Sequence, residues 1–233
     1  METNSKTRSF FHTAMPYVYL IAALLAVRSS IVEPYVVPTG SMEPTLKTGD
    51  RLYALKCAYD VRVPILEWIF PTDGWTLFRT SAVKRGDVIL FIAPHNPSVT
   101  YVKRAIGLPG DKLEFRQGAL FVNGKQMVKG EHPREPVMYD IERKFDKTLF
   151  IENLDGVKHY VILDSVYQPH RDFPEITVPP EHLFAVGDNR DNSLDSRSWG
   201  FVPMKNLKGR AMFIWFSSWE WRIRPERLGT LIQ

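Results

Sequence analysis

Thr100-Tyr101-Val102-Lys103-Arg104-Ala105-Ile106 runs without a helix breaker and then stops at Gly107-Leu108-Pro109-Gly110-Asp111. A β-branched, aromatic and aliphatic run closed by Gly and Pro reads as a strand followed by a turn. Alternate residues of a strand share a face. Tyr101, Lys103 and Ala105 therefore point one way, and Val102, Arg104 and Ile106 the other. Each face carries one cation among apolar neighbours. Two readings of Lys103 stand open. It can be an exposed strand lysine. It can also be a lysine buried beside a nucleophile, where loss of water disfavours the ammonium form and makes the amine a base.

The same texture extends outward. Arg51-Leu52-Tyr53-Ala54-Leu55 and Asp87-Val88-Ile89-Leu90-Phe91-Ile92 read as strands. Leu113–Arg116 and Gly118–Val122 read as a hairpin, followed by the turn Asn123-Gly124. Residues 159–163, 183–186 and 210–216 supply further strands. The more polar, Pro-rich stretch from Val128 to Pro180 reads as part of a smaller β subdomain inserted at about 112–180.

The 233 residues suit one large domain, or one with an insertion. With 44% hydrophobic and 12% aromatic residues, the chain is not disordered. Seventeen prolines and 14 glycines favour many turns and so a mainly β body. The net charge of +4 suits an anionic membrane surface or a nucleic acid equally. The lone Cys57 forms no intrachain disulfide.

The N-terminus differs. Ser9–Val27 contains no Asp, Glu, Lys or Arg. As a helix it spans about 28 Å, close to a hydrocarbon core of about 30 Å. Ala23-Leu24-Leu25-Ala26 makes a poor cleavage site for a signal peptide. A soluble core helix would need burial all round. The reading is a transmembrane anchor over 11–33, after a short tail at 1–10 and before a body at 34–233. Lys6 and Arg8 before the span favour a cytoplasmic N-terminus, although Arg28, Lys47 and Arg51 follow it.

Two further segments bear chemistry. In Thr39-Gly40-Ser41-Met42-Glu43-Pro44-Thr45, Pro44 keeps Glu43 out of helix and Gly40 permits close approach. Ser41 is a turn serine or a nucleophile. Gly187-Asp188-Asn189-Arg190-Asp191-Asn192-Ser193-Leu194-Asp195-Ser196-Arg197 is an Asx-rich loop laced by Asp–Arg pairs, or a functional loop. Two aromatic stretches, Pro64–Phe70 with Trp75 and Phe213–Phe216 with Trp219 and Trp221, are core packing or an interfacial belt. The six histidines show no metal-ligand spacing. There is no G-x-x-x-x-G-K-[ST] phosphate loop.

Taken in order, these segments resemble bacterial type I signal peptidase. Ser41–Thr45 is similar to its serine box, and Gly49-Asp50 and Lys84–Asp87 to intervening boxes. Tyr101–Asp111 is similar to its lysine box, and Gly187–Arg197 to its last box. The resemblance runs from about Tyr17 to Gly229. It implies a mainly β fold: a single transmembrane helix, then an antiparallel catalytic domain with an inserted β subdomain. It implies Ser41 as nucleophile and Lys103 as base. Ser193 would orient Lys103, and Thr39, where Ser or Gly is usual, would help bind the oxyanion. Asp188, Arg190, Asp195 and Arg197 would support the loop. Met42 and Tyr101 are candidates for the wall that desolvates Lys103. The implied substrates are signal peptides of exported preproteins, cut after a small-x-small motif outside the cytoplasmic (inner) membrane. Anionic phospholipids and the secretion translocon are implied partners. No cofactor, metal or nucleic acid is implied. A processing enzyme with one dedicated substrate, and a non-enzymatic peptide-binding domain, remain alternatives.

Overall fold

The computed structural model describes residues 3–63, 76–133, 136–141, 146–166, 168 and 171–233. It opens with helix α1 (Thr3–Ser30). The helix thus begins before the stretch 11–33 expected as an anchor and ends three residues before its close. No breaker separates the polar tail from the apolar run, so the helix extends back. At its other end Val32 already pairs with Leu55. Thr13–Ser30 is apolar enough to cross a membrane and is almost wholly uncovered by the rest of the protein.

The strands that follow are β1 (Val32–Val36), β2 (Asp50–Leu55), β3 (Asp60–Arg62), β4 (Thr76–Arg79), β5 (Val88–Ala93) and β6 (Asn96–Gly107). Then come β7 (Lys112–Arg116), β8 (Ala119–Val122), β9 (Lys125–Gln126), β10 (Val128–His132), β11 (Lys147–Leu154) and β12 (Val157–Asp164). The last are β13 (Phe173–Thr177), β14 (His182–Val186), β15 (Val202–Pro203), β16 (Leu207–Trp219) and β17 (Arg222–Ile223). A four-residue helix, α2 (Ser196–Trp199), precedes β15.

The fold is mainly β and antiparallel. The main sheet runs β1-β2-β16-β5-β6-β14-β15, with β17 paired to the end of β16. Residues 112–177 build two smaller sheets, β13-β7-β8-β9 and β10-β11-β12. Central β5 is buried at every residue, which explains its unbroken Val-Ile-Leu-Phe-Ile text. Its alternate side chains feed two cores. Ile89 and Phe91 pack with Ala105, Leu183 and Ala185. Val88 and Leu90 pack with Met42, Leu46, Leu52 and Ile214. Strand β6 lies beside β5, with Ile89 opposite Lys103 and Val88 opposite Arg104. The two cations of β6 are thereby carried to opposite faces of one sheet.

Candidate active site

Ser41 lies in a single 3-10 turn, Gly40–Met42, just beyond β1. Gly40 lets the Glu43 carboxyl lie close against the turn, where an added Cβ would come within 2.8 Å of it. Met42 is fully buried in the core beneath the turn, which fixes the backbone under Ser41. The loop after β14 clamps it from the other side. The Asn189 amide donates to the Ser41 carbonyl at 3.2 Å, and Asn189 Nδ2 donates to the Gly40 carbonyl at 3.0 Å. Gly187 is required there, since a Cβ would lie 2.4 Å from the Ser41 carbonyl oxygen.

Against this turn stands Lys103, 3% exposed. Its Nζ is 2.5 Å from Ser41 Oγ, across 62 residues of sequence. Thr39 Oγ1 donates to the same Oγ at 3.5 Å. The Lys103 ammonium has no carboxylate within ion-pair distance among the described residues. Its Nζ does sit 5.5 Å from the centre of the Tyr101 ring, which stacks on Trp199. Burial drives the Lys103 pKa down to about 8. The charges of Asp195 and Asp188 oppose this, and that of Arg197 adds to it.

The other expected residues fall around the pair. Asp195 caps α2 and receives Nε and Nη2 of Arg197 at 2.9 and 2.8 Å, and the Gly187 amide at 3.1 Å. Burial would raise the Asp195 carboxyl, but Arg197 holds it below the usual range. The Ser193 hydroxyl is buried beside Gly187, and its proximity helps keep the Asp195 carboxyl low. Tyr101 lines the cleft described next, whereas Met42 does not.

A cleft of about 380 Å³ opens on Ser41 and Lys103. Tyr35–Thr39 form one wall and Val99–Val102 the other; Leu52 and Leu90 also line it, and Asn192 and Leu194 come from the loop.

The chain matches the family model for signal peptidase, peptidase S26, over residues 10–216. The chain belongs to that family. Among its relatives, signal peptidase I of Buchnera aphidicola from Acyrthosiphon pisum is 33% identical, with 97% of this chain and 84% of the relative aligned. Signal peptidase I of Pseudomonas aeruginosa is 35% identical over 90% of this chain and 71% of the relative. A crystal structure of a signal peptidase I from Enterococcus faecalis is 26% identical and covers 56% of this chain and 97% of its own, with a TM-score of 0.35. The chain is a serine endopeptidase of the signal peptidase I type.

Behind the cleft, this peptidase holds a buried charge network that the sequence left largely hidden. Arg104, fully buried, meets both Asp188 oxygens at 2.9 and 2.8 Å. Thr45 Oγ1 donates to Asp188 at 2.6 Å. Burial would raise the Asp188 carboxyl, but Arg104 keeps it low. Arg190 pairs with Glu152 of β11 through two hydrogen bonds, at 3.1 and 2.5 Å. The Arg190 carbonyl accepts from Arg197 Nη2 at 2.6 Å. Strand β12 runs parallel to this loop, with Ile162 bridging Asn189, and places His159 3.4 Å from Glu152 and 3.8 Å from Asp188. Burial first, and Arg104 next, push the His159 pKa down. Glu152 and His159 gave no signal in sequence: a polar residue on an alternating strand reads as solvent-facing.

Proposed function

We propose that this peptidase removes signal peptides from exported preproteins with Ser41 as nucleophile and Lys103 as general base. The approach of Lys103 Nζ to Ser41 Oγ at 2.5 Å, in a dry setting, carries the reading. With its pKa at about 8, Lys103 is about half neutral at pH 8; an ordinary lysine there is neutral only about 0.4% of the time. The neutral amine accepts the Ser41 proton as Oγ attacks the scissile carbonyl. In this reading the Ser41 amide and the Thr39 hydroxyl receive the oxyanion, a contact typically worth about 3–4 kcal/mol per donor. As the C–N bond breaks, the Lys103 ammonium returns the proton to the leaving amine. Water then attacks the acyl ester, giving its proton to Lys103, and Ser41 is regenerated.

The walls of the cleft fit an extended peptide laid between them. Membership of the family implies small side chains one and three residues before the cut, where a larger group would overpack the wall. The experiment is cleavage of a preprotein bearing Ala or Phe at either position. Ala should be cut to the mature N-terminus and Phe should block; equal rates would overturn the specificity.

The membrane face follows from α1 and from charge. Lys6 and Arg8 before the span support a cytoplasmic N-terminus with the body outside. The ribbon β1-β2-β16 leaves the helix end and finishes at exposed Trp219 and Trp221. Between them Arg51 lies over the rings of Trp215 and Phe216 at 5.9 and 5.3 Å. Basic and aromatic side chains so placed suit a ribbon lying along an anionic bilayer. Trp68 and Trp75, the other half of the expected belt, lie outside the described residues. A chain beginning at Val32 should bind anionic vesicles, and Trp221→Ala should weaken that binding about tenfold; unchanged binding would remove the ribbon from the membrane contact.

A further inference from the structure

Strand β16 pairs with β5 only through Arg210. Beyond that point its β5-side edge is left open, and the last residues of the chain fill it. The Gly229 amide donates to the Ile214 carbonyl at 2.8 Å, Ile214 to Thr230 at 3.0 Å, and Ile232 to Met212 at 2.8 Å. Phe213 and Leu231 form the bridge between them. Two anchors fasten this segment to opposite halves of the active site. Arg227 is bound to Asp50 and donates Nη2 to the Thr45 carbonyl at 2.9 Å, four residues past Ser41. The Gln233 backbone oxygen accepts from Arg104 Nη1 at 2.8 Å, one residue past Lys103. Between the anchors, Ile232 packs on the core cluster that contains Met42, the same cluster on which Val102 packs.

Arg104 makes the second anchor consequential. A guanidinium has five N–H groups and no other outlet for them. Asp188 takes two, through Nε and Nη2, and Thr45 Oγ1 takes a long third at 3.4 Å. The Gly86 carbonyl accepts from Nη1 at 2.7 Å and Gln233 completes the set. Without Gln233, a fully buried N–H loses its acceptor, which burial penalises. The strand that carries Lys103 would then shift or admit water.

We propose that residues 227–233 are a clasp that positions the Ser41 turn against the Lys103 strand, with Arg227 and the Gln233 backbone oxygen as its two attachment points. The inference rests on the reading of Ser41 and Lys103 as the reacting pair. Its residues are positioning residues, since none lines the cleft.

The test uses the protein in detergent with a cleavable preprotein, comparing the parent with a chain ended at Leu231, with Ile232→Ala, and with Leu231→Ala, whose side chain is exposed. Ending the chain at Leu231 should lower kcat at least tenfold with KM within twofold. The acid limb of its pH–rate profile should move up, because water reaching Lys103 relieves its desolvation. Ile232→Ala should move both in the same direction, with kcat down about threefold, and Leu231→Ala should match the parent. If ending the chain at Leu231 abolishes folding, Ile232→Ala alone decides between the outcomes. Parental kcat and pH profile in the variants that fold would overturn the clasp. Ser41→Ala and Lys103→Ala run alongside: turnover by those proteins would overturn the reacting pair instead, so the two failures are distinguishable.

Discussion

Lys103 and Arg104 are neighbours on one strand, both buried, and they are treated in opposite ways. Arg104 is surrounded by acceptors: the Asp188 carboxylate, two backbone oxygens and a hydroxyl. Lys103 is given one hydroxyl and an aromatic face. Burial of a charge is tolerated when its donors are satisfied and the counter-charge is close. Burial without those partners moves the pKa instead. The same sheet thus makes a fixed structural cation on one face and a titratable amine on the other. Carboxylates near Lys103 would undo this, and the network prevents it by occupying them: Asp188 with Arg104, Asp195 with Arg197.

The contrast can be broken from either face. The largest effect is expected on the amine side. Ser41→Ala and Lys103→Ala should each cut turnover at least a thousandfold, about 4 kcal/mol of barrier, with circular dichroism unchanged. Substantial turnover by a folded Ser41→Ala protein would remove Ser41 as nucleophile. On the other face, Asp188→Ala strands a buried guanidinium and should destabilise the fold by about 3–5 kcal/mol, measured by chemical denaturation; a loss under 1 kcal/mol would mean Arg104 finds other partners.

A smaller effect sharpens the comparison by its sign. Lys103 has a folded pKa of about 8 against 10.5 unfolded. Between those values the unfolded chain binds more protons, so stability rises with pH. Below pH 8 the charged lysine costs about 3 kcal/mol, and the cost fades as pH climbs toward 10.5. Lys103→Met keeps the stem and discards the charge. It should be inactive yet at least as stable as the parent at pH 7, with the advantage shrinking at pH 9.5. A protein much less stable at pH 7 would place Lys103 with Arg104, as a paired structural cation.

Much of this fold was legible in the text of the chain. The alternation at Tyr101–Ile106 gave both the strand and the division of its cations, and the run Asp87–Ile92 gave a strand, though not its burial on both faces. The apolar N-terminal run gave the helix, though not its ends, since a polar helical tail and an early strand pairing carry no local mark. Ser41 and Lys103 were marked by the resemblance of their segments; their meeting depends on sheet order, which no local pattern encodes. Glu152 and His159 escaped notice because only the approach of β11 and β12 to the Gly187–Arg197 loop buries them.

The central claim is that a desolvated Lys103 is the base. The direct measurement is kcat/KM for preprotein cleavage by the full chain from pH 6 to pH 10. The account predicts activity that rises tenfold per pH unit at the acid end and levels off around an apparent pKa of about 8, the value burial imposes on Lys103. A profile flat across pH 7 to 9, or one still climbing at pH 10 as an ordinary lysine would dictate, contradicts it.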